Sequence, residues 1–485
     1  MSEIKNKIQQ LENISRQLEP STKERKKTRE KIVDYTEDFI ENIYNINAFN
    51  LSDNTGEGLL EVPVSEEPVE IDRLITLFKD NVDFPNLNPA SGGHLGYIPG
   101  GGLYNSALGD YLADITNRYA GLFYAGPGAV RMENILIRWM AKIVGFPKET
   151  VGNLASGGSI ANLIAIVTAR DAFKIKAEQI PNSVIYLSKE VHHCIDKAIR
   201  IAGLNECKLN FVGLDENYRI NPKALKNEIE KDKKEGKIPW LIIASAGTTD
   251  FGVIDPLNEI AEIAKLNNMW FHIDGAYGAF FVLSETGRPR LKGMEKADSL
   301  VMDPHKGLFL PYGLGVVIVK DKNKLNAAHY YKANYLQDAV ALEEEPSPAD
   351  LSPELTKHFR GLRLWLPLML HGVKPFRAGL EEKLLLTRYF YEELKKIEGF
   401  EMGPEPELSV ASFRYIPKTG DANKFNQLLI KEIHKDGRVF LSSTNVDNKF
   451  IIRIAVLAFR THLQTIDLTI QILKEKVSLL LKNWI

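Results

Sequence analysis

Between residues 150 and 320, short runs of strand formers alternate with stretches of helical length, and this alternation restricts the possible folds more than any other feature. Val184-Ile185-Tyr186-Leu187, Leu241-Ile242-Ile243-Ala244, Trp270-Phe271-His272-Ile273, Ser299-Leu300-Val301-Met302 and Val316-Val317-Ile318-Val319 read as strands, and segments 160–177 and 256–267 read as helices. Continuous apolar strands separated by helices predict an α/β fold, a mostly parallel central sheet with helices on both faces. Sheets of that kind bind ligands at the carboxyl ends of their strands. Residues just past each strand are therefore where chemistry is expected.

The flanking regions differ in pattern. Residues 1–90 are rich in Lys, Glu and Asn and carry Ile32, Tyr35, Phe39 and Ile43 at helical spacing, which predicts an N-terminal helical arm. A single apolar stripe cannot bury itself, so the arm is expected to pack on the main body or on a second subunit of a homodimer. A helical stretch over 359–396 leads into a strand (408–416), a helix (423–435), two strands (438–443 and 450–458) and a closing helix (463–484). We read residues 91–375 as a large α/β domain and residues 376–485 as a small C-terminal α+β domain. Glu343-Glu344-Glu345-Pro346-Ser347-Pro348 reads as a solvated, mobile loop.

Composition narrows the function classes. Lys and Arg number 61 against 63 Asp and Glu, a formal net charge of -2 over 485 residues, and no basic stripe marks a nucleic-acid or acidic-membrane surface. No stretch approaches the roughly 18 uncharged apolar residues of a membrane span, and the N-terminus lacks the apolar core of a signal peptide. The expected setting is cytoplasmic. Cys194 and Cys207 are too few for a disulfide framework and lack metal-ligand spacing, so reduced thiols and no metal are expected.

Two strand ends carry a specific pairing. Asp274 closes Phe271-His272-Ile273-Asp274, and Lys306 follows 32 residues later in Asp303-Pro304-His305-Lys306-Gly307. A lysine amine can hold pyridoxal 5'-phosphate as a Schiff base, and an aspartate against the ring nitrogen keeps that nitrogen protonated. Ala276 offers a small side chain where a flat ring needs a floor. Gly157, Gly158 and Ser159 precede a helical run, where free N–H groups and a hydroxyl suit a phosphate. Each alone has an ordinary reading, as a surface lysine, a helix-capping aspartate or a turn; together they point to this cofactor and an amino-acid substrate.

Segments 94–165, 183–203, 240–320 and 355–373 resemble the group II pyridoxal phosphate-dependent decarboxylases, most nearly the aromatic-L-amino-acid decarboxylases. The resemblance implies an aspartate aminotransferase-like fold (PLP fold type I). It also implies that His192, in Val191-His192-His193-Cys194, stacks on the cofactor ring and positions the substrate carboxylate. Thr249 takes the place of the family threonine in Gly247-Thr248-Thr249, and the family's phosphate contacts fall on Gly158 and Ser159, with His305 beside the reactive lysine. Tyr335, 29 residues after Lys306, matches the tyrosine that protonates the carbon losing carbon dioxide; Tyr330 and Tyr331 lie close by. Asp303 departs from the asparagine common there, and an ionised carboxylate would repel a phosphate.

The implied activity is decarboxylation of an L-amino acid, aromatic substrates favoured, to the amine and carbon dioxide. Tyr97, Phe123 and Tyr124 are expected as aromatic walls, and Gly100-Gly101-Gly102 as open space. The family lacks this triple glycine, and Gly307 replaces a bulky residue. Rival readings are an aldehyde synthase, a decarboxylase of acidic amino acids, a catalytically dead homologue, and an aminotransferase if Arg453 grips the substrate carboxylate. We favour a structural role for Arg453.

Overall fold

The computed structural model describes residues 2–330, 345–482 and 484. A short ribbon pairs β1 (Phe49–Asn50) with β2 (Asn86–Leu87). The central sheet contains β3 (Val151–Ala155), β4 (Ser183–Leu187), β5 (Lys208–Phe211), β6 (Ile238–Ser245), β7 (Trp270–Asp274), β8 (Ser299–Met302) and β9 (Gly315–Val319), in the order β3-β9-β8-β7-β6-β4-β5. Strands β5, β4, β6, β7 and β8 are parallel, whereas β9 runs antiparallel to both of its neighbours. Segment 303–314 explains the reversal. It carries only the single helical turn Pro304–Gly307, too little to return the chain along the sheet, so β9 must run back beside β8.

Both faces of the sheet are covered, as expected for strands built mainly of apolar residues. Phe271 and Ile273 of β7 join one core with Ile242, Leu300 and Val316; Trp270 joins the other with Ile185, Val301 and Val317. Burying a side chain of this size removes about 1.5–3 kcal/mol of unfavourable hydration each. Helix Gly158–Ala172 lies against the second face. Strand β3, Val-Gly-Asn-Leu-Ala, and helices Tyr104–Thr116 and Pro127–Val144 were not predicted; β3 has a single β-branched residue and no alternation to mark it.

The C-terminal region folds as an antiparallel sheet, β10 (Phe400–Met402), β11 (Val410–Tyr415), β12 (Ser442–Val446) and β13 (Lys449–Ala455), in the order β10-β11-β13-β12. Helices Ala422–Asp436 and Leu463–Lys482 pack on it around Phe413, Phe425, Ile452 and Leu473. The strand expected at 438–443 begins at Ser442 instead; Val439 and Leu441 are buried ahead of it, and an apolar run alone cannot separate extended core packing from ladder pairing. Tyr277, just past β7, ties the two sheets together: its hydroxyl meets Ser409 Oγ at 2.8 Å and accepts the Ser409 N–H at 2.7 Å.

In the N-terminal region, helix Thr22–Asn42 starts on a capping box formed by Ser21 and Glu24. Tyr35 packs edge-on against Phe78 of helix Ile71–Phe78, and Ile43 is buried. Helix Ser2–Ser15 buries nothing, and its Ile4, Ile8, Leu11 and Ile14 are exposed on one side. Residues 331–344 lie outside the described residues, and with them Glu343 and Glu344. Glu345 departs from the expected solvated loop: Arg138 donates to its two oxygens at 2.8 and 3.1 Å, and nearby Pro348 is buried. Among the described residues no helix is long and apolar enough to cross a membrane.

Candidate active site

A cavity of about 660 Å³ opens at the carboxyl ends of β4, β6, β7 and β8. Its position follows from the topology, because every parallel strand delivers its next residues to the same edge of the sheet. Gly157, Gly158, Ser159, His192, Thr249, Asp274, Ala276, His305 and Lys306 all line it. The sequence reading thus places nine residues from five separate segments at one site. Tyr335 and Tyr331 lie outside the described residues, and exposed Tyr330 does not line the cavity.

Asp274 ends β7 and is nearly buried. One carboxylate oxygen accepts the backbone N–H of Ala276 at 3.1 Å, and the other accepts Asn162 Nδ2 at 3.2 Å. Lys306 sits on the turn after β8, its Nζ 3.3 Å from Asp303 Oδ2. Asp303 is therefore not a bare charge: Lys306 partners it, and His305 Nε2 stands 3.7 Å away. A Cβ on Gly158 would lie 2.8 Å from Asp303 Oδ2, so only glycine permits this approach of the helix start to the carboxylate.

Helix Gly158–Ala172 begins without a side-chain cap, which leaves its first N–H groups and the Ser159 hydroxyl directed to the cavity edge. His305 donates Nδ1–H to the Leu314 carbonyl at 2.5 Å, and burial holds its ring below the usual histidine range. His192 packs against His193, ring centroids 4.1 Å apart. His192 Nδ1 accepts the Cys194 N–H at 3.2 Å, which puts the proton of the neutral ring on Nε2. Burial, followed by His193, keeps His192 neutral by lowering its pKa. Burial likewise pushes the Cys194 thiol up to about 12, so this cavity-lining cysteine stays protonated.

Several expectations are corrected here. Phe123 is buried under Arg131 and Tyr124 is exposed, and neither lines the cavity. Tyr97 does line the cavity as expected, and the rest of its aromatic and aliphatic surface comes from Ile98, Ile160, Tyr277 and Tyr312. Of the triple glycine only Gly102 has open space around it, and none of the three lines the cavity; a Cβ on Gly100 would meet the His305 carbonyl at 2.4 Å, so Gly100 is pressed against the backbone that carries the lysine. Arg453, on β13, also lines the cavity, but its Nε donates to the Asp250 carbonyl at 2.8 Å, its Nη1 to Ser442 Oγ at 3.2 Å and its Nη2 to the Thr249 carbonyl. Asn162 was missed, although it stands one helical turn beyond Gly158 and so shares its face.

Residues 59–416 match the family described as the pyridoxal-dependent decarboxylase conserved domain. The chain belongs to this family. An aromatic-L-amino-acid decarboxylase of Bacillus atrophaeus is 35% identical over 393 residues, 79% of this chain and 82% of that protein. Tryptophan decarboxylase 2 of Oryza sativa subsp. japonica is 29% identical over 460 residues, 91% of this chain and 93% of that protein. The solved structure of Oryza sativa TDC with PLP and tryptamine superposes with a TM-score of 0.90 at 21% identity, covering 96% of this chain and 99% of that one. The fold is accordingly that of the PLP decarboxylases, fold type I, and the protein is a PLP-dependent amino-acid decarboxylase. Among the described residues no group of three or more His, Cys, Asp or Glu is arranged to hold a metal ion.

Proposed function

We propose that this decarboxylase converts an aromatic L-amino acid to the corresponding amine and carbon dioxide. The observation that carries the reading is the engagement of Arg453. Its guanidinium is spent on two backbone carbonyls and a serine hydroxyl, and it is the one arginine among the described residues lining the cavity. An acidic side chain entering the site would lack a free cation to balance it. An arginine clamp on the α-carboxylate, as transamination would use, is also missing, and a tight clamp would stabilise the ground state against loss of that group. Tyr97, Ile98 and Tyr312 supply the apolar and aromatic surface that suits a flat ring.

The residues present fit pyridoxal phosphate. Lys306 Nζ would hold its aldehyde carbon, Asp274 its protonated ring nitrogen, and Ser159 with the uncapped N–H groups of the helix start its phosphate, with Ala276 small enough to leave the ring a floor. Bound PLP supplies an electron sink for the pair released when the bond from Cα to the carboxylate breaks. Asp303 would balance positive charge at Lys306 rather than touch the phosphate. His192, with its proton on Nε2, can cover the ring and donate toward the departing carboxylate. Thr249 is fixed at the cavity edge because Arg453 grips its turn. Tyr335 is the proposed proton donor to the substrate carbon.

The same reading assigns residues 1–90, 91–375 and 376–485 to arm, large domain and small domain. It makes the protein a cytoplasmic homodimer, supported by two buried free cysteines and by the uncovered apolar side of helix Ser2–Ser15. The experiment is direct. Incubating the purified holoprotein with the common L-amino acids should release carbon dioxide and amine from aromatic substrates only. Release from glutamate or aspartate, or keto-acid formation, would overturn the proposal.

A further inference from the structure

From Asn162, on the cavity wall beside Asp274, a file of buried polar groups that the reaction outlined above does not use runs into the core. Trp270 Nε1 meets Ser299 Oγ at 2.9 Å, Ser299 Oγ meets His272 Nδ1 at 2.8 Å, His272 Nε2 meets Asn162 Oδ1 at 2.8 Å, and Asn162 Nδ2 reaches Asp274 Oδ2 at 3.2 Å. Ser299, His272 and Asn162 are fully inaccessible to solvent, and Trp270 is 1% exposed.

The direction of every bond is fixed by chemistry. A carboxylate only accepts, so Asn162 turns its NH2 to Asp274 and its carbonyl oxygen to His272 Nε2, which must carry the ring hydrogen; the neutral ring then accepts the Ser299 hydroxyl at Nδ1, and Ser299 Oγ accepts the indole N–H. The flipped amide would set oxygen against oxygen at one end and N–H against N–H at the other. Burial pushes His272 down to about 4, which keeps the ring neutral as the file requires. Four dipoles point their positive ends at Asp274, where a low dielectric makes each count for more.

The sequence builds the file through the two-residue period of a strand. Trp270, His272 and Asp274 are alternate residues of β7 and share one face; Ser299 is the partner of His272 across to β8; Asn162 descends from helix Gly158–Ala172. Core side chains on the same strands are apolar. A string of polar groups there costs burial free energy that leucine or valine would not, and it ends on a carboxylate.

We propose that Asn162 and His272 are positioning residues, and that the one-way file from Trp270 through Ser299, His272 and Asn162 fixes the plane of the Asp274 carboxylate and sustains its charge against the cofactor ring nitrogen. This rests on Asp274 being the partner of that nitrogen. Weakening the file lets the ring lose its proton, and a ring without that charge no longer repels the proton held at Lys306 Nζ.

The test compares holoprotein variants Asn162→Leu, His272→Phe and His272→Gln with Asp274→Asn. The readouts are the dissociation constant for PLP and the pH midpoint at which the visible band of the bound cofactor titrates. Lys306, Asp303, His192, His193 and His305 share the cavity and stay unchanged throughout. Asn162→Leu and His272→Phe should each weaken PLP binding about tenfold, the scale of one charge-assisted hydrogen bond, and raise the midpoint by about one pH unit. His272→Gln, which keeps a donor and an acceptor, should restore most of both. Asn162→Ser, which removes the amide without a large void, carries the same expectation if either bulky variant fails to fold. A midpoint that moves in Asp274→Asn but not in the Asn162 and His272 variants overturns the proposal. An unmoved midpoint in Asp274→Asn overturns the assignment of Asp274 itself.

Discussion

Lys306 Nζ stands 3.3 Å from Asp303 Oδ2, and the other oxygen of that buried carboxylate has no hydrogen-bond partner among the described residues. Removing the amine strands the charge. In the apoprotein, Lys306→Ala should lower the unfolding free energy by about 1–3 kcal/mol, and Lys306→Ala combined with Asp303→Asn should recover most of that loss. Urea unfolding of the two variants checks it; equal stability would show that the pair is uncoupled. Lys306→Ala should also abolish the visible band on adding PLP.

Arg453 is tied to the turn after β6 through the Thr249 and Asp250 carbonyls. A lysine cannot reproduce the guanidinium fork, so Arg453→Lys should cost about 2–4 kcal/mol of stability and leave the product an amine. Product chromatography alongside thermal unfolding tests both parts. A switch to keto acid would assign Arg453 to the substrate.

His94 is fully buried with neither ring nitrogen hydrogen-bonded among the described residues, and burial pushes its pKa from 6.5 down to about 4. The neutral ring favours the folded state above pH 6.5, and that contribution is lost as the pH falls toward 4. His94→Phe, beside the Tyr97 and Phe440 rings, should stabilise the protein by about 1–3 kcal/mol, with a gain that widens over this interval. Unfolding curves at pH 7.5 and pH 5, compared with the parent, decide it.

The opposite sign holds at Glu190. Burial, reinforced by Asp250, Asp447 and Asp255, raises its carboxyl from 4.5 to about 7. Folding therefore favours the protonated acid, a contribution that is complete below pH 4.5 and lost as the pH rises through 7. Glu190→Gln should remove that decline and add about 1 kcal/mol at pH 8, a figure discounted for partial solvent screening. A stability profile parallel to that of the parent from pH 4.5 to 8 would refute it.

Ile4, Ile8, Leu11 and Ile14 form an exposed apolar side on helix Ser2–Ser15. If this side forms the proposed dimer interface, the parent should sediment as a dimer and Ile8→Glu with Leu11→Glu as a monomer. Unchanged sedimentation would remove the arm from the interface.

Strands β4, β6, β7, β8 and β9 were legible because each is a run of bulky apolar residues buried on both sides. The direction of β9 was not, since side-chain pattern carries no polarity; the shortness of segment 303–314 held that information. Lys306 and Asp274 could be paired from sequence because Asp274 closes one strand and Lys306 lies just past another that ends at the same edge. Asn162 could not, because its neighbours in the chain are ordinary helix residues and its meaning arises only across the gap to β7. Gly100 was misread for a related reason: a glycine serves openness and close approach equally, and only the His305 carbonyl 2.4 Å from a virtual Cβ distinguishes them.

Phe271 and Ile273 belong to one core while Trp270, His272 and Asp274 look the other way. Grease and wiring are thus printed on opposite sides of a single ribbon five residues long. Deleting one residue upstream in β7 would exchange the two sides, driving acid and imidazole unpartnered into the oily layer, so the site and the sheet would fail together.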